Sequence, residues 1–128
     1  MRTIGPSRLI MPAPKPEVWC ASTADAPVVV LTIPGVLDRT RVFDVDVQLR
    51  VRVPAAARKP EFALSLEMDG ARQWSRSIEA SSPGETDSLD YHCRLTLATG
   101  RESRLRARAA LGPCVLLGLS LTAVEDLP

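Results

Sequence analysis

Several residue types on which protein chemistry often depends are scarce in this chain. Its 128 residues include one histidine, three cysteines and 4% aromatic residues. A single histidine cannot build a multi-histidine metal site. The odd cysteine count, with no Cys-x-x-Cys pair among Cys20, Cys93 and Cys114, argues against a disulfide framework and against a zinc site.

Net charge and long apolar segments are also lacking. Sixteen basic residues oppose fifteen acidic ones, so no overall field attracts nucleic acid or an anionic membrane. Gly118 and Ser120 interrupt the apolar run of residues 114–121, which is too short to span a membrane. The amino terminus lacks the apolar central run of a signal peptide. We therefore expect a cytoplasmic protein without nucleic-acid or membrane partners.

What the chain has instead is a strict alternation of apolar and polar residues. In residues 42–53, Phe43 and every second residue after it are apolar, whereas Asp44 and every second residue after it are polar. A period of two over this length predicts a β-strand with one buried face and one solvated face. Further strands are predicted at residues 17–20, 28–33, 62–68, 71–78, 89–97, 105–109 and 115–124. Together they indicate an all-β antiparallel sandwich.

The chain length indicates one domain preceded by an arm. Four prolines within residues 1–16 forbid a helix and favour an extended segment there. The remaining residues, 17–128, suffice for a single two-layer core and are too few for two.

Asp69-Gly70 predicts a hairpin between two of these strands. A two-residue loop would turn Trp74 away from the apolar face. A three-residue loop with the glycine in the left-handed conformation pairs Glu67 with Ala71, places Trp74 opposite Leu64 and keeps the indole on the buried side. Since a slip of one residue flips every side chain, we expect the three-residue loop.

The strand layout resembles that of a known group of modules. The order is a long strand ending Arg-Val-Pro at Pro54, then Phe-Ala-Leu-Ser-Leu-Glu-Met-Asp-Gly at 62–70, Asp-Tyr at 90–91 with Leu-Thr-Leu-Ala-Thr-Gly at 95–100, and Leu-Ser-Leu-Thr at 119–122. It is similar to the galactose-binding-like jelly-roll modules, which include many bacterial carbohydrate-binding modules, over roughly two-thirds of the chain. The resemblance implies a jelly-roll that binds a ligand through loop aromatics or a concave sheet face. A structural calcium is common in that group, but no residue here maps onto a site of it.

Arginines are the most unusual feature of the predicted surface. Two polar strand faces carry them: Arg50 and Arg52 on one, and Arg104, Arg106 and Arg108 on the other. As neighbours, these strands would form a patch of five guanidinium groups able to grip carboxylate, phosphate or sulfate. Paired instead with strands bearing acids (Asp44, Asp46, Glu67, Asp90), they would form cross-strand ion pairs, and the near-zero net charge favours this second interpretation.

The few aromatic residues limit the candidates for ligand contact. Phe43, Phe62, Trp74 and Tyr91 are predicted on the buried sides of their strands, which makes them core residues. Trp19 alone is free to contact a ligand. The predicted ligand-binding residues are therefore Arg104, Arg106, Arg108 and Trp19.

A catalytic or metal site finds little support. Asp90 precedes His92 by two residues, and such a pair could orient an imidazole for general base work. No nucleophile signature accompanies it, and this spacing is too long for a hydrogen bond, so we favour a solvated histidine. Acidic residues gather at positions 85–90 and 125–126, without the spacing of a known calcium loop. We expect no cofactor, with calcium as the open alternative.

Two functions follow from these observations. The first is a non-catalytic binding module for a glycan or similar polar ligand. The alternative is an assembly module, a homo-oligomer or a subunit of a hetero-complex, because residues 28–33 and 116–124 read as strands apolar or weakly polar on both faces. A lone two-layer sandwich covers only one face of each strand. The proline-rich arm or another subunit would then cover the rest, with both segments near the interface.

Overall fold

Eight β-strands make up the regular structure of this protein. The computed structural model describes residues 15–128. The strands are β1 (Val18–Thr23), β2 (Val28–Ile33), β3 (Arg41–Arg52), β4 (Glu61–Met68), β5 (Ala71–Glu79), β6 (Thr86–Leu97), β7 (Ser103–Ala110) and β8 (Val115–Glu125). Within this range there is no helix long and apolar enough to cross a membrane. Apart from residues 15 and 16, the predicted arm lies outside the described residues.

The strands form two antiparallel four-stranded sheets. Sheet A has the order β1-β8-β3-β6, and sheet B has the order β2-β7-β4-β5. The chain changes sheet at every connection except the β4–β5 hairpin and returns to pair its last strands with its first. This is the double-sheet arrangement of an eight-stranded jelly-roll. The predicted fold class, an all-β antiparallel sandwich of jelly-roll type, is therefore confirmed.

The core lies between the sheets and follows the alternation of β3. Val45, Val47 and Leu49 are fully buried from sheet A, and they face buried residues of sheet B such as Leu64 and Leu105. Each such side chain contributes about 1.5–3 kcal/mol when it leaves water. The polar residues between them on β3 point outward and give sheet A a solvated outer face.

The β4–β5 hairpin differs from the predicted one. Met68 pairs with Ala71, so the loop has two residues, and both Asp69 (φ 52°) and Gly70 (φ 85°) are left-handed, as in a type I′ turn. The predicted three-residue loop is wrong. A bulge farther along the strand corrects the register and places Trp74 opposite Leu66, not Leu64, so Trp74 still packs against the core.

A second bulge changes the faces of β8. Gly118 pairs with Arg50, and Leu116 pairs with Val51, so Leu117 is the extra residue. Leu116 packs against the core, whereas the sequence pattern had placed it on the outer face. Leu117, by contrast, is half-buried and does not belong to the core, and Gly118, Ser120, Thr122 and Val124 follow on the outer face.

The two segments predicted near one interface lie in different sheets. Strand β8 is central in sheet A, between β1 and β3, and β2 is an edge strand of sheet B. Their outer faces point to opposite sides of the sandwich, so a single flat partner surface cannot cover both. On β2, Val30 is 38% exposed.

Candidate functional site

The predicted arginine row lies on the outer face of sheet B. Arg104, Arg106 and Arg108 alternate along β7 with buried residues. Strand β7 runs between β2 and β4, so Arg108 is flanked by Val28 and Ser65. The other two predicted arginines are in β3 of sheet A. The patch of five guanidinium groups is therefore wrong.

Cross-strand ion pairing accounts for little of this row. Among residues 15–128, Arg106 is the one member with a carboxylate oxygen within 4 Å, that of Glu67 at 3.9 Å. Asp69 accepts hydrogen bonds from the Ser103 hydroxyl and from the backbone N–H of Arg104, not from the guanidinium. Exposed pairs of this kind contribute only about 0–1 kcal/mol. The row is thus largely uncompensated.

Arg108 instead shares a depression with two arginines of β5, of which Arg72 lies on the outer face and Arg76 pairs with the buried Leu64. Arg72, Arg76 and Arg108 line one cleft of about 290 Å³ on sheet B, which we call the arginine cleft. The other lining residues are Ala63, Leu64, Ser65, Ser75, Ser77 and Ala110. No carboxylate belongs to this lining. The sequence gives no signal for the arrangement, because it depends on β4 lying between β7 and β5.

A second depression lies on the outer face of sheet A. This polar groove, of about 420 Å³, is lined by Ser22, Thr23, Ala24, Gln48, Arg50, Gly118, Leu119 and Ser120. Ser22 pairs with Ser120, and Ser120 pairs with Gln48, so their side chains form one row across three strands. A Cβ atom added at Gly118 would meet no atom within 4 Å, which leaves the groove open at that point.

Trp19 does not join either depression. It lies opposite Ala123 in sheet A and packs against the core. Its indole Nε1 donates a hydrogen bond of 3.0 Å to Oε1 of Glu17. The structure therefore separates Trp19 from the three arginines with which it was predicted to bind a ligand.

Glu17 belongs to a partly buried group of charges at one end of the sandwich, the end cluster, which also contains Arg39, Arg41 and Glu125. Arg41 is fully buried and donates to Oε1 of Glu17 at 2.7 Å and to the Pro34 carbonyl at 2.7 Å. Arg39 donates to both carboxylate oxygens of Glu125, at 3.1 and 3.0 Å, and to Glu17 at 2.6 Å. Hydrogen bonds from Arg39 hold the pKa of the Glu125 carboxyl below its usual range.

The end cluster was missed from the sequence, although a signal for it exists. Two positions before Phe43, the alternation of β3 reaches Arg41, and two positions after Ala123, the alternation of β8 reaches Glu125. Both residues point inward because the period of two continues past the apolar run. Because the two residues carry opposite charges, the pattern could have predicted that they stabilise each other at this end of the core.

His92 has a different acidic neighbour from the one predicted. Its Nε2 is 3.5 Å from Oδ1 of Asp44, across the strand pair, and the ring is half exposed. Asp44 also accepts from Arg94 at 3.0 Å, and Arg94 reaches Asp126 at 2.8 Å. No hydrogen bond joins His92 to a hydroxyl or thiol among the described residues. The arrangement is a surface charge network without a nucleophile.

The cysteines and acidic residues form no metal centre in residues 15–128. No three histidine, cysteine or acidic side chains come together there. The three thiols are free, and burial raises the pKa of Cys93 and of Cys114, which keeps both protonated at neutral pH. Glu125 and Asp126 are engaged by arginines.

The remaining aromatic residues pack in the core or stack between the two sheets. Phe43 and Phe62 are buried, as predicted. Trp74 of β5 stacks on Tyr91 of β6, with ring centroids 4.2 Å apart and planes 10° from parallel. These strands are edges of different sheets, so the stacked pair joins the sheets along one side and anchors the strand that carries Arg72 and Arg76.

Comparison with known proteins finds likeness in fold and none in sequence. No protein-family model and no curated protein matches the chain. Among solved structures, dimeric latent PorU from Porphyromonas gingivalis matches 88% of this chain at 14% identity and a TM-score of 0.48, and the chain spans 13% of that protein. A family 35 carbohydrate-binding module from an environmental isolate matches 81% of this chain, which covers 70% of that module, at 11% identity and a TM-score of 0.43.

A second family 35 module, from Cellvibrio japonicus Abf62, gives 13% identity and a TM-score of 0.42, covering 83% of this chain and 76% of that module. Modules of the kind that the strand layout resembles are therefore among the solved structures similar to this protein. At these identities, the likeness concerns the fold alone.

Proposed function

We propose that this protein is a non-catalytic binding module for a glycan or a similar hydroxyl-rich ligand, bound in the polar groove of sheet A. The observation that carries the proposal is the row formed by Ser22, Ser120 and Gln48 across three neighbouring strands. These side chains line an open groove of about 420 Å³ with no carboxylate in its walls.

The chemistry of the row suits sugar hydroxyls. A hydroxyl group both donates and accepts, and the Gln48 amide offers two donors and one acceptor oxygen. A sugar hydroxyl, which also does both, can therefore bind along the row in more than one pairing. Each neutral hydrogen bond contributes only about 0.5–1.5 kcal/mol, and no aromatic residue lines the groove. We expect weak binding of an extended ligand.

Two substitutions test the groove. Gln48→Ala removes the amide, and Gly118→Val places a side chain in the open part of the groove, where an added Cβ has no atom within 4 Å. Screening on a glycan array with calcium present, followed by NMR titration, should give a ligand whose binding both variants lose. Gln73→Ala is the matched control, because Gln73 is exposed on sheet B. Failure to find any binder at millimolar concentration, or equal loss in the control, ends the proposal.

An assembly role is the second candidate. It is supported by the outer face of the edge strand β2, where Val30 is 38% exposed and Val28 lies two residues away. An edge strand with exposed apolar residues is a natural surface for a second copy of the chain. The test is the solution mass of the full chain at low micromolar concentration. A dimer that becomes monomeric in Val30→Glu supports this role, and a monomeric parent protein excludes self-association.

A further inference from the structure

We propose that the arginine cleft of sheet B is a second binding site, and that it takes the oxyanion of an acidic glycan, a carboxylate or a sulfate group. The cleft lies on the outer face opposite to the polar groove. Arg72, Arg76 and Arg108 line it. The guanidinium group presents planar pairs of N–H donors that match carboxylate and sulfate oxygens.

The strand pairing of sheet B places small side chains at the bottom of the cleft, between the arginines. Ser65 of β4 is flanked by Arg108 of β7 on one side and by Ser75 of β5 on the other. Ala63, two residues earlier, is flanked by Ala110 and Ser77. The middle strand thus offers a low floor on the outer face, with Arg108 of β7 on one side and Arg72 of β5 on the other. Arg76 pairs with the buried Leu64, so its side chain starts from the inner side of the edge strand. An anion on this floor is within reach of donors from two strands.

The guanidinium groups of the cleft form no ion pair within residues 15–128, although Glu67 lies opposite Arg72 in the β4–β5 register. In residues 15–128, none of Arg72, Arg76 and Arg108 takes part in an ion pair, which means that no carboxylate oxygen lies within 4 Å of their guanidinium nitrogens. Residues 1–14 contain no aspartate or glutamate. On sheet A, by contrast, Arg94 pairs with two carboxylates, Asp44 and Asp126. The cleft therefore concentrates positive charge in a chain whose net charge is only +1.

Hydroxyl groups complete the donor set. Ser65, Ser75 and Ser77 line the cleft together with the arginines, and each hydroxyl donates to an oxyanion while its own oxygen accepts from a neighbouring sugar hydroxyl. This mixture suits an anionic group carried on a sugar better than a bare phosphodiester backbone. The near balance of charge outside the cleft also disfavours nucleic acid, which is attracted by an extended positive surface.

The test is a titration of the full-length protein with defined anions. Isothermal calorimetry and NMR would follow inorganic sulfate, glucuronate, a sulfated oligosaccharide, its unsulfated counterpart and a DNA duplex, at low and at physiological salt. We expect the sulfated oligosaccharide or the glucuronate to bind, more tightly at low salt, and the unsulfated counterpart not to bind at this site. Tighter binding of DNA, or no saturable binding of any anion, overturns the proposal.

Substitutions assign the binding to the cleft. Arg108→Ala should weaken binding at least about tenfold, the usual effect of losing a hydrogen bond to a charged group. Arg108→Lys keeps the charge but not the paired donors, so it should recover only part of the affinity. Arg58→Ala, at an exposed loop position outside both depressions, is the matched control for lost charge. Equal losses in Arg108→Ala and Arg58→Ala would show a general charge effect and contradict the site.

We expect anion binding in the arginine cleft to be independent of glycan binding in the polar groove. Gln48→Ala should leave anion binding unchanged, and Arg108→Ala should leave the binding of a neutral glycan unchanged. If the anion fails to bind while a neutral glycan binds, only the inference about the cleft is lost. If the anion binds and no neutral glycan does, the proposal for the polar groove is lost instead.

Discussion

Two groups of arginines in this small protein have opposite surroundings. In the end cluster, Arg41 is fully buried and Arg39 half-buried, and both are held by carboxylates at 2.6 to 3.1 Å. In the arginine cleft, Arg72 and Arg108 face an open surface with no carboxylate among the lining residues. The same side chain therefore supports the fold in one place and is available to a ligand in the other.

The two groups differ in the direction in which the arginine side chains point from their strands. Arg41 continues the inward alternation of β3, and a buried guanidinium without partners would carry a large desolvation penalty. The carboxylate of Glu17 supplies the partner. The backbone N–H of Glu125 donates to the Glu17 carbonyl, and the backbone N–H of Glu17 donates to Oε1 of Glu125, which fixes the start of β1 against the end of β8. Arg108 points outward from β7, where water solvates it and no partner is required.

The largest expected effect comes from breaking the end cluster. Glu17→Ala removes the only carboxylate that contacts Arg41 among the described residues. It leaves a buried cation with a single backbone acceptor. Loss of one partner of a buried pair costs about 3–5 kcal/mol, and we expect a decrease of that size in the free energy of unfolding, measured by urea denaturation.

Arg41→Met is the companion variant. It removes the buried cation itself, and Glu17 keeps its contact with Arg39 at 2.6 Å. A hydrophobic side chain of similar volume often replaces a buried charge with little loss, so this variant should be less destabilised than Glu17→Ala. Equal destabilisation of the two variants would mean that losing the Arg41 side chain costs as much stability as leaving it without a carboxylate partner.

The second prediction, with an effect of intermediate size, concerns the stability of the fold at low pH. Hydrogen bonds from Arg39, and also one from the backbone N–H of Glu17, lower the pKa of Glu125 from its ordinary value of 4.5. The unfolded chain therefore takes up this proton first as the pH falls. The stabilisation is complete above the unfolded pKa and is lost as the pH falls through the folded pKa.

Urea denaturation of the parent protein and of Glu125→Gln over a pH series checks this. The parent protein should be the more stable at neutral pH, and the difference should shrink below pH 4.5, the ordinary pKa of the carboxyl. A difference that stays constant with pH would exclude a role for the charge of Glu125. The arginine cleft contains no acid, so the effect of Arg108→Ala should not show this acid dependence.

The fold was predictable and the binding surfaces were not, for a physical reason. Alternation in β3 depends on local sequence, and a buried strand face needs apolar residues at every second position. The bulge that turns Trp74 back to the core, by contrast, follows from packing against Leu66 and Tyr91. Arg108 and Arg72 line one cleft only because β4 lies between their strands, and the order of strands across a sheet cannot be predicted from any single segment.

The smallest effect on stability should come from the arginine cleft itself. Arg108→Ala removes an exposed side chain with no ion pair in the described residues, so the free energy of unfolding should change by less than about 0.5 kcal/mol. The change should be stabilising at low salt, because a like charge is removed from the face that carries Arg72, and it should vanish at high salt, where that repulsion is screened. Urea denaturation at both salt concentrations measures it. A destabilisation comparable to that of Glu17→Ala would show that Arg108 is a structural residue, and the contrast between the two groups would disappear. If instead the repulsion is real, an anion that binds the cleft should relieve it, and added sulfate should stabilise the parent protein more than Arg108→Ala.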